Sequence, residues 1–217
     1  MISAPVHDFV SRAEFHYGMQ WGCTLAGLGV AAGVVSITVF RRPAPIAGLL
    51  VTVALVQGMK HTGGLPANTT RGLLYLSIAG LAAALLGAWW RPLALSGAAF
   101  AIPGAALLTR NTGLPDVSWV APLVVVTVVV GGTFVASFDR RHHQRGWSVV
   151  MYAISVVGVY FTVPDTERAL VLLGAALPML LLGWPVALAS IGTAGAYPAV
   201  GALAWIAAFE GLGIGRG

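Results

Sequence analysis

The chain has 217 residues, of which 58% are hydrophobic and only 9% charged, with 12 basic and 7 acidic side chains for a formal net charge of +5. Soluble domains carry about 25% charged residues, so this sequence cannot cover its own surface with polar groups, and an ordinary soluble globular protein is excluded. One cysteine, Cys23, excludes an internal disulfide and any cysteine-rich metal or iron–sulfur site. The basic residues stand singly or in short groups between apolar runs, which points to membrane orientation rather than nucleic acid. The 28 glycines suit helices whose backbones approach closely in lipid.

Residues 1–20 read as an interfacial amphipathic segment. Val6, Phe9, Val10, Ala13 and Tyr17 can share one helical face, and Asp8 and Glu14 beside Arg12 argue against a secretory signal. One transmembrane domain follows over 21–210, and 211–217 form a short tail. Its apolar runs occupy 22–40, 43–59, 72–90, 92–109, 119–138, 147–163, 169–183 and 185–209. A helix needs roughly 20 residues to cross a 30 Å hydrocarbon core. The uncharged stretch from Ala169 to Phe209 would be about 60 Å long as one helix, twice the membrane. A turn at Gly183-Trp184-Pro185 resolves this, since Gly ends helices and Pro starts them. The fold expected is therefore an all-α polytopic membrane protein of eight transmembrane helices. Seven, with a short 169–183 segment, is the competing count. Trp21, Trp89, Trp90, Trp119, Trp147 and Trp184 fall at expected helix ends, as an aromatic belt requires; Trp205 alone lies inside a run.

An internal period of about 49 residues runs through the chain. Gly64-Leu65-Pro66, Gly113-Leu114-Pro115 and Thr162-Val163-Pro164 recur at that spacing, as do Arg42-Pro43 and Arg91-Pro92. Such a unit holds two short spans and two turns, so the reading is of parallel helical-hairpin repeats. The hairpins would be 22–59, 72–109, 119–163 and 169–209, with the Pro-containing turns gathered on one face. The opposite face carries Arg41, Arg42, Arg91, Arg140, Arg141 and Arg145 in short loops, against Lys60, Arg71, Arg110 and Arg168 on the turn face. The positive-inside rule places the Arg-rich loops inside and both termini outside. Small residues and minimal loops suit a bacterial inner membrane.

The polar groups are sparse. No Asp, Glu, Lys, Arg or His falls near the middle of an expected span, which argues against proton pumps, proton channels and bis-histidine haem proteins. Inner hydroxyls such as Ser77, Thr133 and Ser155 are expected to bond their own backbone or a neighbouring helix. Pro103 and Pro198 should kink their helices and free carbonyls. Polar residues on the turn face form a rim for a ligand or partner: Gln57, His61, Asn68, Arg71, Asp116, Asp165, Glu167 and Arg168. Helix capping by Asp165 or Thr166 is the competing explanation for part of it. Inside, Arg140, Arg141, His142, His143 and Arg145 form a loop for lipid headgroups or a docked partner. His7, His16 and His61 are weak metal candidates, since no two of them share ligand spacing on one helix face.

No cofactor and no catalytic residue is expected. The leading functional reading is a non-catalytic membrane subunit or scaffold of a larger bacterial membrane complex, whose partners are the lipid bilayer and another membrane protein, with no nucleic acid. The alternative is a facilitator or transporter for a small neutral or lipidic substrate, with a cavity lined by Gln57, Pro103, Ser155 and Thr193. A third is a lipid-modifying enzyme that brings His16 or His61 to carboxylates at the outer interface.

Overall fold

The computed structural model describes residues 11–40, 67–90, 96–110, 119–138, 147–163, 167–183, 191–209 and 211. Among the described residues the chain is an all-α bundle of seven helices. These are α1 (Ala13–Phe40), α2 (Ala67–Trp89), α3 (Ser96–Thr109), α4 (Val120–Phe138), α5 (Trp147–Thr162), α6 (Glu167–Gly183) and α7 (Gly192–Phe209). Among the described residues three stretches are long and apolar enough to cross a membrane: Ala67–Gly87, Val120–Ser137 and Gly192–Phe209. Ser96–Thr109, Trp147–Thr162 and Arg168–Pro178 are shorter apolar helices. The expected span 43–59 and the turns around Pro66, Pro115 and Pro164 lie outside the described residues.

The first helix does not start where the apolar run starts. It begins at Ala13 and continues unbroken to Phe40, so residues 13–20 are the first turns of the same helix as 22–40. Phe15 and Gly18 are its buried residues there, while Ala13 is exposed and Tyr17 half-buried. Trp21, expected at a helix end, accordingly lies well inside α1 and packs on the core. The reason is contact with α6, which pairs with α1 more extensively than any other two helices pair. A side chain on Gly18 would strike the backbone of Val171, and one on Gly174 the backbone of Phe15. Two glycines facing each other let the two backbones meet, which is how helices gain dispersion energy where lipid supplies no hydrophobic drive.

Helix α7 stands at the centre of the bundle. It packs chiefly against α4 and α2, and touches α3 and α5 as well. The closest approach is to α2. Pro198 cannot donate to the carbonyl four residues back, Ala194. That freed carbonyl faces Gly80, where any side chain would collide with it, and where the Thr193 carbonyl lies 3.0 Å from the position of a Cβ. A glycine Cα–H against a carbonyl is a weak hydrogen bond that recurs at close helix crossings. Tyr197 fills the next layer, between Gly97 of α3 and Gly132 of α4. Gly192, at φ 59°, turns the chain into α7 in the left-handed conformation.

Hairpin packing is uneven along the chain. Helices α2 and α3 form a tight antiparallel pair, with Gly72 against Leu108 and Gly104 against Leu76. By contrast α4 and α5 touch only slightly, and α6 and α7 hardly at all along their lengths. The flanks of α7 are occupied by α2 and α4, so α6 turns its packing surface to α1 and α5 instead.

The outside of the bundle is apolar. Leu74, Tyr75, Ile78, Leu85, Leu123, Val126, Val130, Phe134, Ile154 and Phe161 are all exposed large hydrophobic residues. A water-soluble protein rarely shows such a continuous surface, whereas a lipid-facing one requires it. Trp89, Trp90, Trp119 and Trp147 are exposed at helix ends, where an interfacial belt would lie.

Candidate functional site

One end of the bundle collects the described part of the expected rim. The amide nitrogen of Asn68, in the first turn of α2, donates to the carbonyl of Arg110 just past α3, at 3.3 Å. Leu73 and Leu76 of α2 lie against Gly201 in the second half of α7, so the start of α2 and the end of α7 share this end. Val163 after α5 lies beside Gly211 after α7. Arg168, in the first turn of α6, places its guanidinium carbon 5.3 Å from the ring centroid of Trp205 near the end of α7. Antiparallel packing thus brings Asn68, Arg71, Arg110, Val163 and Arg168 to the same end, although nearly 100 residues separate the first from the last.

Within this end the residues have different surroundings. Arg71 and Arg110 are exposed, and Asn68 is half-buried by its bond to the α3 carbonyl. Arg168 is half-buried over Trp205, whose ring is stacked on Phe209 at 5.0 Å and 26°. Glu167 is the first residue of α6. Gln57, His61, Asp116 and Asp165 lie outside the described residues, as do Arg140, Arg141, His142, His143, Arg145 and His7. His16 is exposed on α1, with its ring edge-on to Phe15. Among the described residues no three His, Cys, Asp or Glu side chains converge.

The cavity lining expected for a facilitator does not assemble from the residues described. Pro103 and Ser155 are exposed on the outside of the bundle, and only Thr193 is drawn inward. Pro103 follows the outer face of α3 because Gly97, Ala101, Gly104, Ala105 and Leu108 are the residues that α3 buries. Ser155 donates to the Met151 carbonyl of its own helix at 2.8 Å. Ser77 and Thr133 do likewise, to Leu73 and Val129, each at 2.7 Å. These hydroxyls are satisfied locally, as their scatter through apolar runs predicts.

Several interior polar groups acquire their partners only in the assembled bundle, and two are left without one. The hydroxyls of Tyr197 and Thr133 meet at 3.3 Å between α7 and α4. Ser148 is fully buried and accepts the Ile191 backbone N–H at 3.3 Å, which ties the start of α5 to the start of α7. The Tyr152 hydroxyl and the Trp205 indole N–H are buried without a hydrogen-bond partner. Comparison with known proteins gives no match: no family model, no curated protein and no solved structure is similar to this chain.

Proposed function

We propose that the protein is a non-catalytic integral membrane subunit or scaffold, which holds a membrane-protein partner through its helix faces and its polar ends. The observation that carries this reading is the central position of α7. The axis of the bundle, where a carrier or channel places its path, is filled by Tyr197, Ala199, Ala202 and Ile206, all buried. The hydroxyls that line helices donate to their own backbones, and Pro103 and Ser155 turn outward rather than toward a shared cavity. What remains for recognition is the apolar exterior and the two polar ends.

In this reading the chain is an eight-span protein of the bacterial inner membrane, built from parallel hairpin repeats, with both termini outside. Asn68, Arg71, Asp116, Asp165, Glu167 and Arg168 would border the outer contact. Arg140, Arg141, His142, His143 and Arg145 would face headgroups or a partner on the inside. The test is purification in nanodiscs at native expression, with mass spectrometry of everything that co-purifies. A stoichiometric membrane-protein partner is the expected result. A lone chain enriched in one small molecule would overturn the scaffold reading in favour of a facilitator.

A further inference from the structure

We infer that the bundle is built for a thin bilayer: the sides formed by α2, α4 and α5 fit a hydrocarbon core of about 25 Å, against about 30 Å in a typical membrane. The limits are set by groups that do not lie in hydrocarbon. On α2 the exposed Arg71 stands near one end and Trp89, 92% exposed, at the other. At a rise of about 1.5 Å per residue they are about 27 Å apart, and the exposed Leu74, Tyr75, Ile78, Leu81 and Leu85 lie between them. On α4 the distance from the exposed Trp119 to the exposed Ser137 is also about 27 Å. Helix α5 is shorter: Trp147–Thr162 has 16 residues, about 24 Å, and Val163 is already outside the helix. The last carbonyls of a helix have no partner within it, so an end that faces lipid, as the exposed Thr162 does, marks the edge of the hydrocarbon.

Tryptophan at a membrane surface sits at headgroup level, so the apolar slab is no thicker than these separations, and tilt makes it thinner. The central helix α7 agrees, with 18 residues and a length of about 27 Å. Helix α1, at 28 residues, is the exception. Its first turns carry Glu14 and the exposed His16, which start it outside the hydrocarbon, and a helix longer than the slab is taken up by tilt. Placed in a core of about 30 Å, the bundle would draw Arg71 and the tryptophan rings inward or pinch the bilayer around itself. Both cost free energy that a thinner bilayer removes, so the protein gathers where its membrane is thinnest. The bilayer is thus a selective partner, chosen by the length of its acyl chains.

The experiment uses the full chain in nanodiscs of dimyristoleoyl-, dipalmitoleoyl-, dioleoyl- and dieicosenoyl-phosphatidylcholine, which differ only in chain length. The melting temperature should be highest in one of the two shorter lipids and lower by about 5 °C in dieicosenoyl lipid. A maximum in dioleoyl or dieicosenoyl lipid, or equal melting in all four, overturns the proposal. The apolar band is read directly with single cysteines in a Cys23→Ser background, labelled by a membrane-impermeant maleimide in dioleoyl nanodiscs. Arg71→Cys and Trp89→Cys should label, and Leu74→Cys and Leu85→Cys should stay unlabelled. All four positions are on the exposed surface, so the substitutions leave the packing untouched. Protection of Arg71→Cys or Trp89→Cys would place hydrocarbon beyond them and would also overturn the proposal. Neither readout bears on whether a protein partner co-purifies, so the scaffold reading stands or falls separately.

Discussion

Helix α7 is buried over 67% of its span and α4 over 28%, yet α4 is the more apolar of the two. In a water-soluble protein the ranking would be reversed, because burial there rewards hydrophobicity. The composition of the two helices explains the inversion. The outward residues of α4 are Leu123, Val126, Val130 and Phe134, which meet lipid and have to be apolar. The buried residues of α7 are mainly Gly and Ala with Tyr197, Trp205 and Ile206 interspersed. Position in the bundle follows side-chain size and shape rather than transfer from water, as expected where the solvent is itself hydrocarbon.

The most direct way to break this contrast is to enlarge α7's closest contact. In Gly80→Val the new Cβ collides with the Ala194 carbonyl, a backbone atom that α7 cannot move by changing a rotamer. The variant should lose on the order of 3 kcal/mol, enough to empty the folded peak in fluorescence-detected size-exclusion chromatography. Recovery at wild-type levels would mean that α2 and α7 are not in backbone contact.

A matched pair within α4 sharpens the comparison on a smaller scale. Val128 is fully buried against the core, and Val130, two residues on, is 61% exposed. Val128→Ala leaves a void that no lipid chain can enter and should cost about 2 kcal/mol. Val130→Ala leaves a dent that lipid fills, and should fall within about 0.5 kcal/mol of wild type. Equilibrium unfolding of both in mixed micelles decides the matter; equal losses would place both positions inside.

How far these positions could be read from the sequence depends on what encodes them. The breaks at Arg, Pro and Gly place helices at 72–90, 119–138, 147–163 and 169–183, close to α2, α4, α5 and α6. The central role of α7 is not written in hydropathy, because all the runs are apolar. Its nearest trace is the density of Gly and Ala around Tyr197. Of the residues expected on the turn face, Asn68, Arg71 and Arg168 are brought to one end of the bundle by α2, α3, α6 and α7, which follows from the alternation of antiparallel helices and does not by itself make that end a binding rim. The burial of the Trp205 indole N–H without a partner is not legible in the sequence, since a tryptophan inside a run differs from another core residue only once its neighbours are known. Residues 13–20 were expected to be helical as part of a surface segment; that α1 runs unbroken from Ala13 into the first apolar run goes with the contact of Phe15 and Gly18 to α6, which hydropathy does not encode.

A milder change tests whether polar contacts add to α7's hold on its neighbours. Tyr197→Phe removes the hydroxyl that meets Thr133 and leaves the ring between Gly97 and Gly132. Thr133 keeps its bond to the Val129 carbonyl, so no new orphan is created. Interhelical hydrogen bonds in membranes average about 0.6 kcal/mol, and the loss should be of that size. A loss several times larger would show that the hydroxyl pair, and not the fit of the ring, holds α4 to α7.

The smallest effect should come from a glycine that packs against nothing. Gly158 lies on α5 with open space where a side chain would stand, unlike Gly80 or Gly132. Gly158→Ala therefore adds a methyl group toward lipid and removes some backbone freedom from the unfolded helix. The two small terms favour the folded state, and stability should stay equal to wild type or rise by about 0.5 kcal/mol. The same denaturation curve that reads the α4 pair reads this variant. A clear loss would mean that α5 presents this side to another segment of the same chain. The position is exposed in the isolated chain, so if the proposed scaffold role holds and a partner helix lies against this side of α5, Gly158→Ala leaves the chain alone unharmed and costs only the complex.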